Sequence, residues 1–470
     1  MASSRRSWPI GGWRMPSLHF SLTDYQDALV AGRYTPPDNL CPYYEVDPVL
    51  YRKYGTTNQR RGRLGEALEE LRKRTDRTYF RNTYPLQAQT LDYSSRSFPA
   101  YRFILPEVMT EDWLALVDWG RFQRDHVLHQ SLCGYVVLKM LDGDGAGNPL
   151  CAPDGTPLLD ACVNRILCWE GTNYIREFLL ECGMREDNPI LIADNPVAKA
   201  VWRSFFREAA YVAAVFHDLG YPWQYAGRLQ ENLDGMNASS MHQNRGVAQI
   251  VEQFGHKLLF HALRGYQKVD AASPSMWKER LTQLTDTALS RTHGLPGALG
   301  FLHLNDCVRC YPVRTQSPLH LLCVEWVAVA IMMHDMAKVY WGEGFKNNGM
   351  PENPSLRLRF EKDPLSAIVA LADVIEEFDR PTVSYEMVGA NDDRVALKYS
   401  KACSSTTLEV DEAGVMTVCY GMDTHEQYMQ KLKCMSKDER EYFDVHHGYL
   451  DMGGLGISAV RLQAVESPGD

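Results

Sequence analysis

Two strongly apolar stretches of this chain each end in the same dipeptide, His-Asp. In the first, seven small or apolar residues precede His217-Asp218, and the helix-terminating sequence Leu-Gly-Tyr-Pro follows. In the second, an equally apolar stretch leads into His334-Asp335. Adjacent ionisable side chains at the end of a buried helix cost free energy unless they are paired or ligate a metal. The two pairs therefore constrain how the helices pack and which chemistry lies between them.

Long segments with apolar residues at helical spacing fill the middle of the 470-residue chain. They cover residues 113–119, 122–141, 163–182, 198–217, 244–263, 320–340 and 366–377. We predict a mainly α protein in three parts. These are an irregular N-terminal region with an amphipathic helix (1–105), a helical domain with an insertion around 142–200 (106–380), and a C-terminal part (381–470).

The C-terminal part changes from helical to alternating periodicity, which is typical of strands. The alternating stretches are 383–387, 395–400, 406–410 and 416–420, and Asp411–Gly414 has the composition of a turn between the last two. A polar helix is predicted over 424–443. The C-terminal part is therefore expected to be a small antiparallel β-sheet plus a helix.

Composition limits the partners and the compartment. The chain has 49 Lys and Arg against 59 Asp and Glu, a net charge of −10, which argues against an extended nucleic-acid-binding surface. A small phosphorylated substrate held by a metal stays compatible with that charge. The longest nearly apolar run, 321–333, is shorter than the roughly 20 residues that span a bilayer, so no membrane association is expected. The basic N-terminus lacks an apolar signal segment, and twelve scattered cysteines suggest reduced thiols in the cytoplasm.

Three further residues share the setting of the His-Asp pairs. His129 and His293 are each followed, four and five positions later, by two small residues. Such residues lie on the same helix face as the histidine and allow a neighbouring helix to approach it. Asp373 interrupts an otherwise apolar helix face.

The ordered series His…His-Asp…His…His…Asp resembles the HD-domain metal-dependent phosphohydrolase superfamily over residues 107–385. The sequence pieces that carry the resemblance are RDHVLHQ, FHDLGYP, THGLPGAL, AIMMHD and DPLSAIVALADVIEEFDRP. The resemblance implies an HD-domain helical bundle core that binds two divalent metal ions, with Asp218 bridging them. The implied ligands are His129, His217, Asp218, His293, His334 and Asp373. Imidazole and carboxylate ligands suit Mn, Fe, Zn, Ni or Co and do not select among them.

Two adjacent metals activate a water molecule and clamp the oxygens of a phosphoryl displacement. We therefore expect hydrolysis of a phosphomonoester or phosphodiester, with a nucleotide-type substrate. Besides Asp218, the expected catalytic residues are Lys338, one turn after His334, as a phosphate-binding cation, and His242 as an acid. Asp125, four residues before His129, is predicted to orient its ring.

Several alternatives stay open from the sequence. His242 competes with His293 as the third histidine ligand, and the HD-x-x-K spacing at His334-Asp335 allows a site centred on that pair. Functionally, a diiron oxygenase or a nucleotide-sensing protein without turnover would use the same ligand order. A structural zinc site is a further interpretation of a separate group: His303, Cys307, Cys310, His320 and Cys323. Oligomerisation is also open.

Overall fold

The computed structural model describes residues 17–30, 126–143, 148–218, 220, 291–309, 318–342, 349–378, 381–387, 395–401 and 403–466. The amphipathic helix predicted in the N-terminal region, which covers residues 60–77, and the helices predicted over 113–119 and 244–263 lie outside these residues. In chain order the described helices are α1 (Leu22–Val30), α2 (His126–Asp142), α3 (Leu158–Leu167), α4 (Asn173–Glu181), α5 (Pro196–Phe216), α6 (Gly294–Arg309), α7 (Pro318–Met333), α8 (Ala337–Trp341), α9 (Pro364–Ile375) and α10 (His425–Asp438), with a π-helical turn (Glu439–Phe443) after α10.

The described strands are β1 (Leu18–Ser21), β2 (Leu358–Arg359), β3 (Pro381–Met387), β4 (Val395–Lys401), β5 (Ser405–Val410), β6 (Val415–Met422), β7 (Leu450–Asp451) and β8 (Ala459–Glu466). The described residues therefore combine a helical part with a small C-terminal sheet. Within these ranges, no helix combines the length and the hydropathy needed to cross a membrane.

Helix α5 lies at the centre of the helical part, in contact with α2, α3, α7 and α9. Asn195 caps its N-terminus by accepting a hydrogen bond from the Val197 N–H, and Pro196 occupies the first turn. Every residue from Ala209 to Phe216 is buried, as expected for a helix covered on all sides. The chain thus delivers the residues that follow Phe216 into the interior.

Helix α2 packs closely on α5 because Gly134 has no side chain. A Cβ atom at Gly134 would lie 2.8 Å from Val215 Cγ2 and 2.9 Å from Tyr211 Cε2. The prediction that small residues after His129 allow a neighbouring helix to approach is confirmed at this position. The close approach places the His129 turn of α2 beside the C-terminal end of α5.

Two predicted helices are interrupted in the structure. The segment 163–182 forms α3 and α4, because Trp169 (φ +56°) and Gly171 (φ +82°) leave the helical region. Thr172 Oγ1 then donates to the Ile166 carbonyl at the end of α3. The segment 320–340 forms α7 and α8, separated by a turn that begins at His334.

The four-stranded sheet has the order β1-β5-β6-β8. Strands β5 and β6 are antiparallel, and the predicted turn between them is confirmed. Asp411 Oδ1 there accepts from the N–H groups of Ala413 and Val415. The prediction of a purely antiparallel sheet is wrong at its other end, because β8 runs parallel to β6. Helix α10 connects these strands and returns the chain, so that β8 enters in the direction of β6.

Outside that sheet, β3 pairs antiparallel with β4 and β2 pairs parallel with β7. The helix predicted over 424–443 is observed as α10 and its π-helical turn. Thr424 and Gln427 form a capping box at its N-terminus, in which each side chain binds the backbone of the other residue.

The close α2–α5 contact predicts a steric cost for Gly134→Ala. We expect the free energy of unfolding to fall by about 1–3 kcal/mol, because the added methyl overlaps Val215 and Tyr211. Chemical denaturation measures the loss. The double variant with Val215→Ala should lose less than the sum of the two single variants, because the nearest overlapping methyl is gone. Additive losses would contradict the contact.

The C-terminal helix predicts a pH-dependent effect at Asp438. Burial, together with the charge of Glu377, raises the pKa of Asp438 to about 6. Because this is above the ordinary value of 3.8, the contribution to stability is full at low pH and is lost as the pH rises through 6. Asp438→Asn should therefore stabilise the fold by about 1–2 kcal/mol at pH 7.5 and little at pH 4. Asp194→Asn, at an exposed position, is the control, and equal gains at both pH values would contradict the prediction.

Candidate metal centre

The structure brings together the six side chains implied as ligands, from five separate segments. His129 lies on α2, His217 and Asp218 follow α5, His293 precedes α6, His334 follows α7, and Asp373 lies near the end of α9. All except Asp373 have side chains no more than 6% exposed, and that of Asp373 is 30% exposed. The cluster is therefore buried and opens towards solvent on the Asp373 side.

One group of atoms surrounds His129. Its Nε2 lies 3.0 Å from Asp373 Oδ1, 3.1 Å from His217 Nε2 and 3.5 Å from Asp218 Oδ2. His217 Nε2 is also 3.5 Å from Asp373 Oδ1. Two imidazoles and two carboxylates thus point at one small volume.

A second group surrounds His293. Its Nε2 lies 2.9 Å from Asp218 Oδ1 and 3.0 Å from His334 Nε2. His334 Nε2 is 3.9 Å from the same Asp218 oxygen. Asp218 therefore lies between the two groups: Oδ2 faces His129, and Oδ1 faces His293 and lies 3.2 Å from His217 Nε2.

The other ring nitrogens determine the tautomers of these histidines. His217 Nδ1 lies 2.6 Å from the Ala214 carbonyl, and His334 Nδ1 lies 2.6 Å from the Ile331 carbonyl. A carbonyl oxygen only accepts, so Nδ1 carries the proton in both rings. In the neutral form of either ring, Nε2 then carries a lone pair that points into the cluster.

Carboxylates perform the same role for the other two histidines. Glu376 accepts from His129 Nδ1, and Asp335 Oδ2 lies 2.8 Å from His293 Nδ1. The four Nε2 atoms consequently face one another and the carboxylates of Asp218 and Asp373. Because imidazole and carboxylate ligand atoms converge in this buried volume, the cluster could hold a metal ion.

Helix ends add to this preference for positive charge. Helices α5 and α7 end immediately before His217 and His334, and α9 ends two residues after Asp373. The C-terminal end of a helix carries a partial charge of roughly −0.5. Three such ends near the cluster favour a bound cation.

The pKa values of two histidines differ in direction. Burial, with the neighbouring rings of His217 and His293, lowers the pKa of His334 to about 4, so His334 is neutral at pH 7. Burial opposes a charge on His293, but the carboxylates of Asp335 and Asp218 outweigh it and raise its pKa to about 9. A metal ligand must be unprotonated, so binding at His293 displaces a proton.

The carboxylate of Asp373 stays ionised in the cluster. Burial acts to raise its pKa, and the neighbouring His129 and His217 rings outweigh burial and hold the pKa well below its usual range. Asp373 therefore provides a negatively charged oxygen at the most accessible edge of the cluster.

Glycines allow the backbones around the cluster to meet. A Cβ atom at Gly220 would lie 1.7 Å from the His293 carbonyl oxygen and 2.5 Å from Gly297 N. A Cβ atom at Gly294 would lie 2.6 Å from the Met332 carbonyl oxygen. The glycines of FHDLGYP and THGLPG thus permit the end of α5, the start of α6 and the end of α7 to converge.

Glu376 and Cys133 were not predicted from the sequence to contact His129. Glu376 is three residues after Asp373, and Cys133 is four residues after His129, so helical spacing was the signal that could have found them. Cys133 Sγ lies 3.7 Å from His129 Nδ1, and burial raises the pKa of its thiol to about 12. Asp125, predicted to orient His129, lies outside the described residues.

The Lys338 side chain does not lie among the converging ligand atoms of the cluster. Its Nζ is 3.2 Å from Asp335 Oδ1, and its side chain is 45% exposed. Asp335 itself contacts the far side of the His293 ring, so the structure favours the site centred on His217-Asp218 over the one centred on His334-Asp335. His242 lies outside the described residues, as do the side chains of the predicted zinc group except Cys323, a buried free thiol.

No protein-family model matches the chain, and no curated protein or solved structure is significantly similar to it. The geometry of the buried cluster is compatible with an HD-type site. The link to that superfamily therefore depends on the residues and distances given above.

The convergence of these ligand atoms predicts that a divalent ion stabilises the fold. Mn²⁺ at a hundred times its dissociation constant should add about 2.7 kcal/mol to the free energy of unfolding, and EDTA should remove that gain. Thermal unfolding of wild type, Asp218→Asn and the control Asp194→Asn measures it. Only Asp218→Asn should lose the response, and a wild type that responds to none of Mn²⁺, Fe²⁺, Co²⁺, Ni²⁺ and Zn²⁺ would argue against a metal centre.

Proposed function

We propose that this protein is a di-metal phosphohydrolase of the HD type that acts on a small phosphomonoester or phosphodiester of nucleotide type. One observation carries the proposal: four imidazole Nε2 atoms and two carboxylates converge, with Asp218 between two groups. Because the Asp218 carboxylate contacts histidines of both groups, it suits a bridging ligand. Two neighbouring metals are the arrangement that suits phosphoester hydrolysis.

The described side chains would divide between two ions. His129, His217 and Asp373 would hold the first ion, His293 and His334 would hold the second, and Asp218 would contact both. When bound, two divalent ions supply Lewis acidity and an activated water molecule.

The chain's own residues orient these ligands and limit the access of water. Glu376, Asp335 and two backbone carbonyls fix each imidazole ring through Nδ1. Because the other ligands are buried, a substrate approaches from the exposed side of Asp373. Lys338 remains the proposed cation for substrate phosphate, and its ion pair with Asp335 holds it near the His293 side.

Hydrolysis of p-nitrophenyl phosphate, bis(p-nitrophenyl) phosphate and nucleotides with Mn²⁺ or Co²⁺ tests the proposal. His217→Ala and Asp218→Asn should each lower turnover at least roughly a thousandfold, equivalent to about 4 kcal/mol of barrier. Metal analysis of the purified protein should give two ions per chain. His425→Ala and Asp194→Asn, both at exposed positions, should retain full activity.

Other outcomes would support the other functions. Oxygen consumption with Fe²⁺, in the absence of phosphoester hydrolysis, would indicate an oxygenase. Tight nucleotide binding without turnover under any metal would indicate a sensor. Activity that survives in both His217→Ala and Asp218→Asn would contradict the metal-dependent mechanism.

A further inference from the structure

Two buried tyrosines of the C-terminal part contact the helical part beside the candidate metal centre. Tyr420 lies on β6 and Tyr449 immediately precedes β7, and both are 0% exposed. The Tyr420 hydroxyl donates to the Val374 carbonyl at 2.9 Å, and the Tyr449 hydroxyl donates to the Met333 carbonyl.

These two carbonyls belong to the last turns of α9 and α7, where backbone carbonyls lack partners within the helix. Val374 directly follows Asp373, and Met333 directly precedes His334. Each tyrosine therefore binds the backbone carbonyl of the residue next to one implied ligand. The two ligands lie in different groups of the cluster. Tyr420 therefore contacts the helix end of the His129 group, and Tyr449 contacts that of the His293 group.

Further contacts attach the C-terminal part at the same places. Lys431 of α10 donates to Glu377, and its Nζ lies 3.7 Å from the centre of the Tyr420 ring. Glu377 directly follows Glu376, which orients His129. Beside the other tyrosine, Trp341 Nε1 donates to the Glu441 carbonyl at 2.8 Å. The C-terminal part therefore contacts the end of α9 through two side chains, and it contacts α8 as well as the end of α7.

We propose that Tyr420 and Tyr449 are positioning residues of the metal centre, holding Asp373 and His334 respectively at ligand distance. Helix ends fray more readily than helix interiors, and both ligands lie at such ends. A hydrogen bond from a buried tyrosine on another element restrains the end of the helix and, with it, the ligand. The inference rests on the metal binding of the proposed function and is independent of the reaction.

Replacement by phenylalanine isolates the hydroxyl, because the ring still fills its volume while the carbonyl loses its donor. Tyr174→Phe is a matched control. Its hydroxyl donates at 3.1 Å to the Lys362 carbonyl, just before the N-terminal end of α9 and a helix length away from Asp373. A general loss of stability should thus appear in Tyr420→Phe, Tyr449→Phe and Tyr174→Phe. A positioning effect on the metal ligands should be confined to Tyr420→Phe and Tyr449→Phe.

Titration of metal-free, full-length protein with Co²⁺ tests the proposal, with calorimetry for affinity and visible absorption for ligand geometry. Asp373→Asn and His334→Gln assign the binding phases, because each removes one ligand from a different group. Tyr420→Phe should weaken the phase that depends on Asp373 roughly tenfold, and Tyr449→Phe the phase that depends on His334, as expected for groups that orient ligands. Each variant should also change the cobalt spectrum.

Lys431→Met provides a second route should Tyr420→Phe fold poorly, and it should weaken the same phase as Tyr420→Phe. Co²⁺ affinities and spectra that match wild type in Tyr420→Phe, Tyr449→Phe and Lys431→Met would overturn the positioning role while leaving the metal centre intact. A wild-type protein that binds no Co²⁺ would instead overturn the proposed metal centre, and this inference with it.

Discussion

A buried carboxylate between two pairs of imidazoles is the constraint around which this structure is arranged. Asp218 faces His129 with one oxygen and His293 with the other, and every Nδ1 in the cluster is already engaged. Two carboxylates and four imidazoles this close together in a low-dielectric interior favour a cation between them. The ends of α5, α7 and α9 add negative potential at the same place. Metal binding and folding are therefore expected to be coupled.

Close backbone approach is the geometric condition for that arrangement. Gly134 lets α2 lie against α5, and Gly220 lets the end of α5 lie against the His293 carbonyl. Residues with side chains at these positions would separate the segments that carry the ligands. The C-terminal part restrains the same region, because Tyr420 and Tyr449 hydrogen-bond to the helix ends that carry Asp373 and His334. Packing, backbone capping and ligand placement thus depend on the same few contacts.

Local patterns predicted much of the fold. The apolar stretch before His217 is helix α5, and the alternating stretches before and after Asp411–Gly414 are β5 and β6. The parallel pairing of β8 with β6 and the joining of β1 to β5 were not predictable in this way. Strand order and direction depend on which distant segments meet, and periodicity carries no such information. The break between α3 and α4 was missed because a positive φ at Trp169 is uncommon for a residue with a side chain.

For the site, the sequence by itself determined which side chains are candidate metal ligands. They include the His-Asp pairs at the ends of apolar helices, with small residues nearby. Helical periodicity and the cost of burying charge were sufficient for that. Only the tertiary structure decided which nitrogen of the His129 and His293 rings faces inward, because the Nδ1 partners Glu376 and Asp335 come from other segments. It also decided that Asp218 lies between two groups and that Asp335 lies behind His293. The positions of Asp218 and Asp335 depend on distances between segments that are far apart in the chain. Only the packing of those segments determines such distances.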